Sequence, residues 1–419
     1  LRIVYLTANV DGAGMYRCLF PAQYLRARGW DAFLCPFTAH EDGDQLLINF
    51  RQVVETDVVD GDGHRLVQVV GVDRLIPALE PDVVVVQMQL DSVLPPLIKD
   101  WKQRGITVVA ECDDAHHGIP AWNPALEGTD PRLHPDRNRD HLHETFKLAD
   151  ALTVATPALK DMYEGLQTDV TVIPNYLHWP MWENVVPPWE ANRRRLRVGW
   201  MGASKWRTGD LQVLRGVIGP WLERNPHVEF VCAGDPTAHD LLGIPVAQRV
   251  STQAVEFRHG DLADIAAVMD IGLVPLASGG FNECKSWLKG LEYSACGIVP
   301  VATPTQQYRE FINDGIDGFL AAKPAQWVRA LDALLDPELR RRMGEAARAK
   351  AREYSLDRHK KEWADFYERV HHHPDRPRPG RPVSGMHTVR PGANGSSAAP
   401  GRHRRPKKRP RTHTQPTRA

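Results

Sequence analysis

Apolar residues in this chain fall into short continuous runs of strand length, with stretches of helical spacing between them, up to about residue 370. Residues 2–7 read as a β run, closed by Asn9, Asp11, Gly12 and Gly14. Leu19, Ala22 and Leu25 then give residues 15–28 a helical stripe, and Gly29 separates it from a second β run over 31–35. Strand, helix and strand in that order make a βαβ unit. Residues 81–86 end in four consecutive valines, the pattern of a parallel strand covered on both faces. Residues 92–104 read as a helix, 106–110 as a strand, 147–152 as the approach to another, and 170–173 as the last of this series, with Thr156-Pro157 opening a helix between. Residues 179–192, holding Pro180, Pro187 and Pro188, read as a linker. A second series starts at Leu196, with strands over 196–201, 228–233 and 271–275, a helix over 211–224, and closing helices over 337–353 and 356–370. This alternation predicts an α/β chain with two parallel-sheet domains.

The densest signal lies in residues 278–303. Ser278-Gly279-Gly280 reads as a hinged loop, a helix opens at Asn282, and a buried strand covers 298–302. Asn282 suits an N-cap, which would aim the free N–H groups of the first turn at the loop as an anion site. Leu288, Leu291 and Ala295 form the buried stripe, while Lys285, Lys289 and Glu292 share another face. Seven residues are nearly two turns, so Lys285 and Glu292 would point the same way, roughly 10 Å apart along the axis. That is about the reach from a diphosphate to a ribose, and it suits a nucleoside diphosphate. A solvated helix face with a Lys289–Glu292 pair is the alternative.

The segment resembles the donor-site helix of the group-one retaining glycosyltransferases, which have two Rossmann-like domains, the GT-B fold. Their pattern is Glu-x7-Glu followed by Ala-x-Ala-x-Gly-x-Pro-Val. Glu292 matches the second glutamate, which implies a role in holding ribose hydroxyls, and Gly297, Pro300 and Val301 match the tail. Cys284 stands in place of the first glutamate, between Glu283 and Lys285. A subset reading Asn-x-Cys-Lys-Ser-x-Leu-Lys-x-Leu-Glu-Tyr is closer still, and it implies that Glu283, Lys285 and Ser286 also lie on the donor, with Lys285 taking part of the phosphate contact. Gly315 to Leu320 resembles a further element of the family, dGxxGxL.

The resemblance also assigns three loops. The family places an Arg and a Lys on the donor diphosphate just after the first strand of the second domain. Lys205 and Arg207 are the available residues, at the carboxyl end of a strand, where open sheets bind ligands. Two such cations would neutralise a departing diphosphate, the work of a metal in other transferases, so no metal is expected. The loop Asp11-Gly12-Ala13-Gly14 resembles the family's first cleft loop, with Gly12 and Gly14 lining it and Tyr16 and Arg17 either meeting an anion or packing. Asp113 and Asp114, in the run from Glu111 to Gly118, match a subset with Asp-Asp at the acceptor loop, where either could orient the attacking hydroxyl or take its proton. That run, with His116 and His117, also has metal-ligand residue types, but neighbours on an extended chain point opposite ways. Asp-Gly-Asp triplets at 42–44 and 60–62 read as turns.

Length and composition, 419 residues with 42% hydrophobic and 25% charged, fit a two- or three-domain α/β enzyme. No apolar run approaches the roughly 20 residues of a membrane span, and no signal-peptide pattern opens the chain. Six scattered cysteines fit free thiols in a reducing cytoplasm. The net charge of zero hides a split: residues 371–419 hold 12 of the 52 Lys and Arg and one of the 52 Asp and Glu. The tail is therefore +11 and the rest −11. Its Pro, Gly, Ser and His content predicts disorder and a possible nucleic-acid or acidic partner.

These readings combine into an acceptor domain over 1–178, a linker over 179–195, a donor domain over 196–353, a helix over 354–370 crossing back to the first domain, and the tail. The expected function is transfer of a sugar from a nucleoside diphosphate sugar to the hydroxyl of a protein or glycan. The resemblance implies retention of configuration, and no cofactor is expected. A nucleotide-sugar epimerase of the same fold and a non-catalytic nucleic-acid-binding scaffold are the alternatives.

Overall fold

The computed structural model describes residues 1–7, 12–36, 51–59, 65–191, 193–251, 263 and 267–373. Asn9, Asp11, both Asp-Gly-Asp triplets and residues 374–419 lie outside the described residues. The strands, in chain order, are β1 (Arg2–Thr7), β2 (Asp31–Pro36), β3 (Arg51–Val59), β4 (Arg65–Gly71), β5 (Val83–Gln87), β6 (Thr107–Cys112), β7 (Ala151–Val154) and β8 (Val170–Val172), then β9 (Leu196–Gly202), β10 (Val228–Gly234), β11 (Arg249–Ser251), β12 (Ile271–Val274), β13 (Val299–Ala302) and β14 (Phe319–Leu320).

Two six-stranded parallel sheets result, ordered β2-β1-β5-β6-β7-β8 and β11-β10-β9-β12-β13-β14. Each order reverses once, between β1 and β5 in the first sheet and between β9 and β12 in the second. The crevice outside the strand carboxyl ends at such a reversal is where open α/β sheets hold ligands. The loops at these reversals are those after β1, β5, β9 and β12, and the loop after β6 lies one strand further along. The strand β5 is buried along its whole length, as its run of valines requires.

Outside the segment after β12, local structure departs from the sequence expectation in three places. Residues 15–28 are not one α-helix: Met15–Leu19 forms a π-helical turn and Phe20–Ala27 continues as α-helix. The expected helix over 211–224 is interrupted, with turns at Thr208–Leu211 and Gln212–Leu214 and a helix at Ile218–Arg224. Gly216 lies between them at φ 73°, a conformation that a side-chain-bearing residue in a helix does not adopt. The antiparallel pair β3 and β4 was not anticipated.

The helix Pro337–Glu353 packs against the helix Leu288–Ala295 of the second sheet. The chain then crosses over: Leu177 N–H donates to the Tyr354 carbonyl at 3.0 Å, and Leu356 N–H to the Leu177 carbonyl at 2.8 Å. The helix Leu356–His371 lies on the first sheet, where the Tyr367 ring meets Tyr5 edge-on at 6.2 Å and Arg369 pairs with Asp169 at 2.6 Å. Tyr176 donates to Glu362 at 2.7 Å on the same surface.

Candidate functional site

The segment after β12 does not form the single helix expected from Asn282 onward. Gly280–Glu283 is one helical turn, and the helix carrying Glu292 begins only at Leu288, with no side-chain cap. Asn282 instead donates through Nδ2 to Asp210 Oδ1 at 2.6 Å and to the Ala277 carbonyl at 2.8 Å. The physical reason is that residues 281–286 are drawn onto the first sheet. Phe281 and Cys284 are buried in the same apolar cluster as Val108 and Ala110 of β6. Three successive residues are then tied to three different first-sheet partners. The Cys284 carbonyl accepts from Thr156 Oγ1 at 3.0 Å, Lys285 Nζ meets Asp114 Oδ1 at 2.5 Å, and Ser286 Oγ accepts from Asn175 Nδ2 at 3.1 Å. A continuous helix could not present all three to the other sheet. Lys285 and Glu292 therefore do not share one helix face, and Lys289 is the cation one turn before Glu292.

Three cations meet here, two from the segment after β12 and one from the turn after β9. Lys289 Nζ donates to the Met201 carbonyl at the end of β9 and lies 5.6 Å from the Trp200 ring centroid. Burial brings its pKa down to about 8. Lys285 lies 4.4 Å from the Phe281 ring, and burial lowers its pKa against the pull of Asp114. Arg207, on the turn after β9, adds to the lowering of both lysines and pairs loosely with Asp210 at 3.5 Å. Lys205 is not part of this group: it is exposed, beside the Trp206 ring at 5.4 Å. Glu283 is exposed as well and accepts the Gln306 N–H at 3.3 Å.

Asp210 was missed by sequence reasoning. One of its oxygens accepts from both Ala277 N–H, at 2.9 Å, and Asn282, while the other faces Arg207. It thereby ties the loop after β9 to the loop after β12. Its only sequence signal is an acid in the turn Thr208-Gly209-Asp210, which resembles many helix starts.

The first sheet contributes the opposite wall. Tyr16 Oη donates to Glu292 Oε1 at 2.7 Å. Burial raises the Glu292 carboxyl pKa, while Lys289 and the Tyr16 hydroxyl pull it back. Arg17, offered for the cleft, is committed to internal partners. It is fully buried, with Nε on Glu111 Oε1 at 2.6 Å, Nη1 on Asn175 Oδ1 at 3.2 Å and on the Ile173 carbonyl, and its guanidinium 4.9 Å from the Trp363 ring. The consecutive residues Tyr16 and Arg17, both on the π-helical turn, thus serve different partners. Gly12, at φ 44°, and Gly14 form the turn before it.

Asp113 and Asp114 follow β6. Burial and the neighbouring Asp114 raise the Asp113 carboxyl pKa to about 6. For Asp114 burial acts upward too, but Lys285 and Arg207 outweigh it and hold the carboxyl below its ordinary value. Beside them, both ring nitrogens of His116 are buried without a hydrogen-bond partner among the described residues, and burial lowers its pKa. His117 stacks on His143 at 4.0 Å. Among the described residues no group of three or more His, Cys, Asp or Glu side chains is arranged to hold a metal ion. No described helix is long and apolar enough to cross a membrane.

Residues 195–337 match the family model of "Glycosyl transferases group 1". No curated protein sequence matches the chain. Solved structures share its fold over nearly their whole length. Sucrose-phosphate synthase from Thermosynechococcus elongatus is 12% identical with a TM-score of 0.59, covering 88% of this chain and 99% of that one. A glycosyltransferase from Rickettsia africae is 13% identical with a TM-score of 0.59, covering 89% and 99%. Anabaena HepE in complex with UDP-glucose is 14% identical with a TM-score of 0.57, covering 88% and 99%. At these identities the likeness establishes the fold, two parallel-sheet α/β domains of GT-B type.

Proposed function

We propose that the protein transfers a sugar from a nucleoside diphosphate sugar to an acceptor hydroxyl, with retention of configuration and without a metal. The observation that carries this reading is the meeting of Arg207, Lys285 and Lys289 at the second sheet's reversal point, with Glu292 one helical turn beyond. The three cations neutralise the diphosphate as charge builds on the leaving group. Glu292 accepts hydrogen bonds from ribose hydroxyls. The Ser286 hydroxyl, which accepts from Asn175, keeps its own hydrogen to donate to a phosphate oxygen. Asp113 and Asp114 face this group from the other sheet and orient the acceptor hydroxyl. Retention is carried over from the group-one resemblance, and UDP is the first nucleotide to try because HepE binds UDP-glucose.

The acceptor in this reading is a hydroxyl of a protein or glycan. The test is release of nucleoside diphosphate from a panel of donors, with and without a chelator, with the product anomer read by NMR. Turnover that persists in the chelator is expected, and its complete loss would overturn the metal-free reading. Absence of any nucleotide binding would return the protein to a non-catalytic scaffold. Mass spectrometry of protein, glycan and DNA fractions for added hexose identifies the acceptor class.

A further inference from the structure

We infer that Asp114 and Tyr16 hold places that the donor's own groups take when it binds, Asp114 that of a phosphate oxygen on Lys285 and Tyr16 that of a ribose hydroxyl on Glu292. This rests on the donor site proposed above and concerns how that site is regulated. In each pair the second sheet supplies the group that reads the donor, and the first sheet supplies a group of the donor's own chemistry. The Asp114 carboxylate offers Lys285 an anionic oxygen at 2.5 Å, as a phosphate would. The Tyr16 hydroxyl gives Glu292 a hydrogen bond at 2.7 Å, as a sugar hydroxyl would.

The Lys285–Asp114 pair is built for exchange. Its side chains are 15% and 33% exposed, whereas the structural pair Arg17–Glu111 is 0% exposed on both sides. The residues flanking Lys285 are pinned through Thr156 and Asn175, so the lysine can change partner by side-chain movement alone. A diphosphate brings more than one negative charge against the single charge of Asp114 and displaces it. Its arrival frees the Asp114 carboxylate beside Asp113 to accept the acceptor's proton. Activation of the acceptor thereby waits for the donor, and binding follows the order donor, then acceptor.

The experiment is calorimetric titration of the full-length protein with UDP, GDP and ADP, using the wild type, Asp114→Asn, Asp114→Ala, Tyr16→Phe, Lys285→Ala and the double variant Asp114→Asn/Lys285→Ala. Thermal unfolding identifies any variant that fails to fold. Both Asp114 variants should bind the preferred nucleotide about 3- to 10-fold more tightly while turnover falls, because an internal competitor has been removed. Tyr16→Phe should bind roughly 2- to 5-fold more tightly for the same reason. Lys285→Ala should bind more weakly, and adding Asp114→Asn to it should give no further gain, since the competitor acts through Lys285. Unchanged or weaker binding by the Asp114 variants overturns the Asp114 role, and the same result for Tyr16→Phe overturns the Tyr16 role. In both cases a weakened Lys285→Ala leaves the donor site standing. Unchanged binding by Lys285→Ala, or no binding by any variant, overturns the donor site and the inference together.

Discussion

Tyr16 and Glu292 lie 276 positions apart, yet the Tyr16 hydroxyl donates to Glu292 Oε1 at 2.7 Å across the two sheets. Both residues are nearly closed to solvent, at 3% and 7% exposure. A buried carboxylate needs such partners to stay ionised, and Lys289 supplies the balancing charge. Tyr16 thus holds, on this carboxylate, the position that a ribose hydroxyl takes in the exchange proposed for the donor.

Replacing Glu292 by Gln should weaken nucleoside diphosphate binding by about 1.5–3 kcal/mol, the range for hydrogen bonds to a charged group. Fold stability should change little, because the amide oxygen can still accept from Tyr16. Titration calorimetry and urea unfolding measure the two quantities. Unchanged affinity would leave Glu292 with a purely internal role as the partner of Tyr16.

Lys289 predicts an alkaline limb. Its burial brings the ammonium pKa down to about 8, so its charge is lost as pH rises through that value. Nucleotide affinity should therefore fall between pH 7 and 9.5 in the wild type. The fall should be smaller in Lys289→Arg, whose guanidinium remains charged throughout, the remainder coming from Lys285, whose pKa burial also lowers. The same decline in both proteins would remove Lys289 from the phosphate site.

Gly202 closes β9 at φ 152°, and a methyl group there would come within 2.9 Å of the Trp200 ring and 3.6 Å of Lys289 Nζ. Gly202→Ala should cost about 1–3 kcal/mol of stability through backbone strain. By pushing on the ring beside Lys289, it should also lower nucleotide affinity. An alanine variant with wild-type stability and affinity would show that this turn relaxes freely.

What the sequence made legible was set by local pattern. Valine runs and helical stripes located both sheets, since a buried parallel strand admits few other compositions. Lys285, Glu292 and Arg207 could be singled out because a motif or a strand end marked them. The failures share one cause, which is contact between residues far apart in sequence. Asn282 looks like a cap until Asp210 takes its side chain. The helix from 282 looks continuous until Thr156, Asp114 and Asn175 pull residues 284–286 towards the first sheet. Arg17 looks like an anion ligand until Glu111 claims it. Such long-range partners leave no trace in periodicity.

The Arg17–Glu111 pair yields the last prediction, because it is the fully buried ion pair that the first sheet is built around. Burial raises the Glu111 carboxyl pKa from its ordinary 4.5 to about 7, with Arg17 pulling against it. A carboxyl raised in the folded state holds its proton there while the unfolded chain has already lost it. Its contribution to stability is therefore full below pH 4.5 and is lost as pH rises through about 7. Asp113, raised to about 6, adds the same sign over the lower part of that window. Arg17→Met leaves Glu111 with no counter-charge while keeping much of the volume beside Trp363. At pH 8 the loss of stability should be about 3–5 kcal/mol, the cost of stranding one buried charge. At pH 5.5 the loss should be smaller, because the carboxyl then carries its proton and no charge is stranded. Glu111→Gln should reduce the slope between pH 4.5 and 7, leaving the part that Asp113 supplies below about 6. Urea unfolding of the three proteins across this range is the measurement. An equal loss for Arg17→Met at both pH values would mean that the pair stabilises by packing alone.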